Sequence, residues 1–177
     1  MTAVARTWGT SPAERLEPFP CERYLSAPDD AYFRGVEIDA PAPIVFRWLC
    51  QLRAAPYSYD WIDNRGRRSP GELTPGLEEL SVGQSVMTIF ELVEFERYRH
   101  LTLRLRRMRF VFGDVAVTYM VSEVCDQRCR LVVKLLVRHR GSGLRSFFAR
   151  RFLPWGDLVM MRRQLLNLKR LAEAQAS

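Results

Sequence analysis

The stretch PWGDLVMMRRQLLNLKRLAEA, residues 154–174, decides the fold. At 100° per residue, Leu158, Met160, Met161, Leu165, Leu168, Leu171 and Ala172 fall within one arc of about 160°, and Arg162, Arg163, Lys169, Arg170 and Glu173 fall opposite. The large side chains on that arc, at roughly 1.5–3 kcal/mol each when fully buried, give on the order of 10 kcal/mol gross. Intrinsic propensity alone would leave such a helix marginal. A helix with one such face requires an apolar floor, and the sequence upstream supplies it.

From residue 86 the hydrophobic period changes to 2. Residues 86–96, 99–106, 115–124 and 130–139 read as successive strands joined by short polar links, an antiparallel meander. Leu101, Leu103 and Leu105 share one face, as do Val115, Val117, Tyr119 and Val121, and then Leu131, Val133, Leu135 and Val137. Lys134 and Arg138 point the other way, so one face is expected to be oily and the other wet. Gly141-Ser142-Gly143 ends the sheet. LRSFFARRFL then forms a helical lead-in, and Pro154 with Gly156 is expected to kink or re-cap before the long helix.

Further upstream, YFRGVEI (32–38) reads as a first strand and DAPAPIVFRWLCQL as a helix. Asp39 is placed to cap it, Pro41 and Pro43 fit its first turn, and Ile44, Val45, Trp48, Leu49 and Leu52 form its apolar stripe. The segment YSYDWIDNRGRRSP (57–70) combines aromatic bodies with acidic groups, and a short second helix ending near Arg65-Gly66 is expected. Residues 66–85 are a long connection of the kind that borders functional openings. Residues 1–30, with four prolines and little periodicity, read as an irregular, partly mobile arm, leaving 31–177 as a single domain.

An apolar content of 47% excludes wholesale disorder. No run reaches the 18 apolar residues of a spanning helix, and the N-terminus has no secretory core, so a cytoplasmic location is expected. In that compartment Cys21, Cys50, Cys125 and Cys129 read as reduced thiols, although Cys125 and Cys129 flank a hairpin tip. His100 and His139 have no ligand-spaced companions, and no glycine loop suits a phosphate, so neither metal nor cofactor is expected. The +7 charge rests on 25 arginines and two lysines. Clusters such as Arg104, Arg106, Arg107 and Arg109 suit weak contact with an anionic surface. No nucleic-acid motif accompanies them.

Strand, helix, helix, meander and long terminal helix is the order of an α+β helix-grip fold, a curved antiparallel β-sheet wrapped around a long C-terminal α-helix. Several segments also resemble one superfamily: Val36-Glu37-Ile38-Asp39-Ala40-Pro41, Val45, Trp48-Leu49, Gln51-Leu52, Tyr57-Ser58-Tyr59-Asp60-Trp61, Val82-Gly83, Asp157, Met161, Arg163 and Leu166. Over residues 30–173 the chain resembles bacterial members of the SRPBCC superfamily, which includes START lipid carriers and polyketide cyclases and dehydratases. Related chains carry glycines where Arg53-Ala54-Ala55-Pro56 stands here. The resemblance implies a cavity between helix and sheet for a lipophilic molecule of polyketide, lipid or isoprenoid type, and leaves open whether the chain carries that molecule or transforms it.

The residues expected to line such a cavity are Trp48, Tyr57, Tyr59, Trp61, Phe90, Leu103, Val117, Tyr119, Val133, Met161 and Leu165. Tyr57, Tyr59 and Trp61 form either an aromatic rim or the packing surface of the second helix. For proton transfer the candidates are Asp60, Glu91 and Tyr119. Asp60 is otherwise a cap or a partner of Arg65, Arg67 or Arg68. Glu91 shares its parity with Ile89 and Val93, and lies inward only if they do. Tyr119 sits on the oily face, where its hydroxyl needs a ligand, a water or a neighbouring side chain.

Overall fold

The computed structural model describes residues 4–59, 66, 68–139 and 144–177; for residue 111 and residues 144–153 only the backbone is described. Among these residues the alternating runs form one six-stranded antiparallel sheet in the order β1-β6-β5-β4-β3-β2. The strands are β1 Asp30–Ile38, β2 Ser85–Val86, β3 Phe90–Glu96, β4 His100–Leu105, β5 Asp114–Cys125 and β6 Arg128–Arg138. The helices are α1 Val4–Thr7, α2 Pro12–Leu16, α3 Ala42–Cys50, α4 Arg109–Phe112 and α5 Leu144–Ala176. The curved sheet and its long terminal helix are the expected helix grip. No helix among the described residues is long and apolar enough to cross a membrane.

Register fixes what α5 meets. On the inner face one row runs Tyr32, Leu135, Val117, Leu103, Leu92, and the next runs Arg34, Val133, Tyr119, Leu101, Phe95. Leu165, Leu168 and Ala172 of α5 bury against the sheet together with Trp48, Leu49 and Leu52, as the helical arc requires.

Three local expectations change. The helix does not re-cap at Pro154 but runs through it. Pro154 is itself buried, and its carbonyl accepts from Arg34 Nη2 at 3.4 Å, so tertiary contacts hold a turn that lacks one backbone donor. Asp39 does not cap α3, whose N-cap is Pro41; its carboxylate accepts from Arg128 Nε at 2.6 Å. The strand expected over 86–96 is broken by Met87 and Thr88, whose positive φ angles of 47° and 66° make a turn. A register shift between Leu92 and Glu94 then leaves Val93 as an extra residue, so Phe90, Leu92 and Phe95 face inward while Glu91, Glu94 and Glu96 face outward. All four cysteines are free, Cys125 exposed and the others buried.

The largest change concerns the face expected to be wet. The arm does not trail off: Phe19, Cys21 and Leu25 bury against Phe33, Ala116, Val132 and Leu136, all outward-facing positions. Cys21 N donates to Thr118 Oγ1 at 2.9 Å, and Thr118 Oγ1 in turn lies 2.9 Å from Thr102 Oγ1. Lys134 is buried over the rings of Phe19 and Phe33 and ion-paired with Glu22. At the sheet edge Gly35 N donates to Trp8 O at 3.0 Å. A Cβ on Gly35 would meet Gly9 O at 2.8 Å, so this approach requires glycine.

Candidate functional site

On the inner face the apolar side chains divide into two clusters. The larger holds Val36, Ile38, Leu131, Leu165 and Leu168; the smaller holds Tyr32, Leu105, Val115 and Val137, with half-buried Ile89, Phe112, Phe90 and Leu135 against it. Phe90 and Leu135 touch both. Where the clusters meet stands a charged pair. Arg34 is 1% exposed, and its Nη2 donates to Asp157 Oδ2 at 2.6 Å and to Ala5 O at 3.0 Å, while Nη1 donates to Phe33 O at 2.8 Å. Its Nε is buried without a partner among the described residues. The Tyr32 ring lies 5.7 Å from the guanidinium.

Burial pushes the Asp157 carboxyl up to about 6, with Arg34 pulling the other way. Burial likewise lowers Arg34 from its ordinary value, with Asp157 opposing. The Tyr32 phenol is raised by burial and by the Asp30 carboxylate; no well-formed hydrogen bond to its hydroxyl exists among the described residues.

A second polar link lies in the same row as Arg34. The Tyr119 hydroxyl donates to Gln164 Oε1 at 2.8 Å, and Gln164 Nε2 donates to Pro56 O at 2.6 Å. Burial raises the Tyr119 phenol. Asp157 and Gln164 are two helical turns apart, about 10 Å along α5. β1 and β5 are two strand spacings apart, also about 10 Å. The two links therefore match in spacing and seat the helix on the sheet in one register.

The sequence-derived candidates separate on this frame. Leu103, Val117, Val133 and Leu165 are core residues of the larger cluster, and Met161 lies beside Tyr119 with its sulfur 3.8 Å from the hydroxyl. Trp48 and Tyr57 pack edge to face at 6.1 Å inside the same core, and Tyr57 O accepts from Asn167 Nδ2 at 2.8 Å. Tyr57 thus packs its segment onto α3 and α5 rather than standing at a rim. Half-buried Tyr59 carries the Arg163 guanidinium 5.9 Å from its ring. Asp60 and Trp61 lie outside the described residues. Glu91 pairs in register with Arg104 on the outer face, away from α5, which removes it from the inner site. The Tyr119 hydroxyl is bonded to Gln164 of α5.

No family model matches the chain, and no curated protein sequence matches it. Solved structures do. The di-domain aromatase/cyclase StfQ of the steffimycin biosynthetic pathway superposes with a TM-score of 0.56 at 12% identity, over 82% of this chain and 51% of StfQ, so this chain spans about half that protein. A structural-genomics protein from Nitrosospira multiformis gives 0.52 at 11% identity over 83% of this chain and 96% of that one. DynU16, a putative protein of the dynemicin biosynthetic locus, gives 0.51 at 18% identity over 84% and 49%. The chain shares the helix-grip fold of these structures.

On this frame, Arg34, Asp157 and Gln164 are the residues that reading the sequence for apolar pattern passes over. The signal was present. On the helical wheel Asp157 and Gln164 fall inside the apolar arc, and Arg34 shares its parity with Tyr32, Val36 and Ile38. A polar residue inside an apolar stripe must have a buried partner. Among the described residues one cavity of about 370 Å³ lies on the outer face beneath the arm, and another is lined by Asp39, Cys125, Gln127, Arg128, Ala176 and Ser177 at the hairpin tip.

Proposed function

We propose that this chain binds an amphipathic small molecule of polyketide type between α5 and the inner face, at the end occupied by Tyr32, Phe90, Phe112 and Leu135, with Arg34 and Asp157 as its polar anchor. The observation that carries this reading is the buried Arg34–Asp157 pair, with an unfilled guanidinium donor, set between two apolar clusters. Charges in such surroundings cost several kcal/mol each to desolvate, so this arrangement contributes little as mere stability. A carbonyl- or enol-rich molecule with an apolar body would fill the donor and cover half-buried Phe90 and Leu135. The shared fold with StfQ supports the ligand class by analogy. The protein works in the cytoplasm and without a nucleic-acid partner in this reading, and lipids or isoprenoids rank behind aromatic polyketides because they offer the guanidinium fewer acceptors.

The test is native mass spectrometry and fluorescence titration with an anthraquinone carboxylic acid, a long-chain fatty acid and farnesol. Saturable binding of the first, weakened at least about tenfold by Arg34→Met, is expected. If all three fail to bind up to their solubility, the proposal is wrong.

A second reading, a cyclase or dehydratase, is favoured by one observation: a carboxyl raised to about 6 is poised for proton transfer near neutrality. In that reading Asp157 takes the role assigned from sequence to Asp60, Glu91 or Tyr119. Asp157→Asn would then abolish turnover of a poly-β-ketone substrate while leaving its binding within a few-fold. Unchanged turnover rules out this role.

A further inference from the structure

Beyond the inner site, we infer that the outer face carries a separate binding site for a small organic carboxylate with an apolar body, formed where residues 18–23 cross β3, β4 and β5. The cavity there measures about 370 Å³, within the range of small-molecule pockets. Its walls are of two kinds. Phe19, Pro20 and Met120 supply an apolar side, and His100, Arg23 and Arg99 supply nitrogen.

The β3 bulge makes the site. Were β3 regular, Val93 would face outward and Glu94 would share the inward parity of Leu92; because Val93 is an extra residue, Glu94 turns outward opposite Thr102. The arm then closes on that carboxylate: Arg23 bonds it, and the Tyr24 hydroxyl donates to its Oε2 at 2.9 Å. Bulge and arm together place one buried imidazole beside an open space.

The choice of a carboxylate follows from counting unmet groups. Each acidic side chain of the lining already has a cation of its own: Glu94 has Arg23, Glu96 has Arg99 at 3.0 Å, and Glu22 has Lys134. What remains unfilled is donor capacity. Arg23 and Arg99 each have guanidinium N–H groups beyond those pairs, and both are well exposed. His100 is buried; its Nε2 lies 3.3 Å from Glu94 Oε1 but off hydrogen-bond geometry, and has no hydrogen-bond partner among the described residues. An occupant that presents acceptors satisfies these groups, one that presents only donors does not, and the apolar wall selects a body of aryl or short alkyl kind. The chain's +7 charge adds a field of the favourable sign.

The experiment uses sodium benzoate as probe and benzamidine, nearly its isostere with the opposite charge, followed by amide chemical shifts of the 177-residue chain. Benzoate is expected to give saturable shifts at Phe19, Met120 and Ser122 with millimolar affinity. Arg23→Gln with Arg99→Gln, at exposed positions, is expected to weaken it about tenfold, the scale of a charge-assisted contact. Ser122→Trp, which fills the space and leaves every charge in place, is expected to abolish the shifts, while Arg34→Met on the inner face leaves them unchanged. Absence of saturable shifts, equal or tighter binding of benzamidine at the same amides, or benzoate binding that ignores both the arginine and the Ser122 changes would each overturn the site.

Discussion

The inner face of the sheet meets α5 through a broad apolar field crossed by one polar row, Arg34 and Tyr119, whereas the outer face meets the arm through a small apolar patch with polar groups packed throughout it. On the inside the polar links are few and each is held by the helix: Arg34 by Asp157, Tyr119 by Gln164. On the outside Thr102, Thr118 and Lys134 are buried: Thr118 accepts from Cys21 N, Thr102 pairs with Thr118, and Lys134 pairs with Glu22. The difference teaches where each covering layer gets its specificity. α5 is positioned by two links spaced two turns apart, and the arm by a mesh of short polar contacts around one aromatic, Phe19.

The sharpest way to break the comparison is to cut one partner of the inner pair. Asp157→Leu or Arg34→Met alone leaves a buried charge uncompensated and should cost about 3–5 kcal/mol by urea denaturation. The double change should recover most of that loss, because an apolar pair needs no desolvation. If the singles cost under 1 kcal/mol, the pair does not position α5.

On the outer face the corresponding test is Phe19→Ala. Phe19 is 3% exposed, meets Phe33 edge to face at 6.2 Å and lies under Lys134, so its truncation should cost about 3 kcal/mol. A cost near zero would mean that the arm merely lies on the sheet.

Next in size is a pH effect confined to the inner face. The Asp157 pKa of about 6 lies above that of an unfolded aspartate, near 3.9, so at intermediate pH the folded state holds a proton that the unfolded state has released. The stability this contributes is fully present below the unfolded value and lost as pH rises through the folded one. Compared with Asp157→Asn, the wild-type protein should therefore lose on the order of 2 kcal/mol between about pH 4 and 7 and then level off. Parallel curves for the two proteins would show that the carboxyl is not perturbed.

Much of the frame was legible because periodicity reports burial directly: the arc of Met161, Leu165 and Leu168 and the alternation of Leu131 and Val133 lie in the larger core cluster, with Leu135 packed against it. What misled was reading Lys134 as the mark of a wet face. In LVVKLLV the outward positions are Val132, Lys134 and Leu136, two of three apolar, the signature of a strand covered on both sides. The arm was illegible for a related reason, since its contacts with the sheet are made by isolated residues, Phe19, Cys21 and Leu25, at no regular spacing. The bulge at Val93 has no period at all, which is why no single parity could assign Glu91.

The smallest expected effect distinguishes seating from binding. Tyr119→Phe removes the hydrogen bond to Gln164 but leaves Gln164 tied to Pro56 O, so stability should fall by about 1 kcal/mol. If Tyr119 only seats α5, affinity for the anthraquinone probe should stay within about twofold, whereas Arg34→Met lowers it at least about tenfold. A large loss of affinity with unchanged stability would place the phenol in the ligand's path, and the polar row would then be one continuous binding surface from β1 to β5 in place of an anchor beside a clamp.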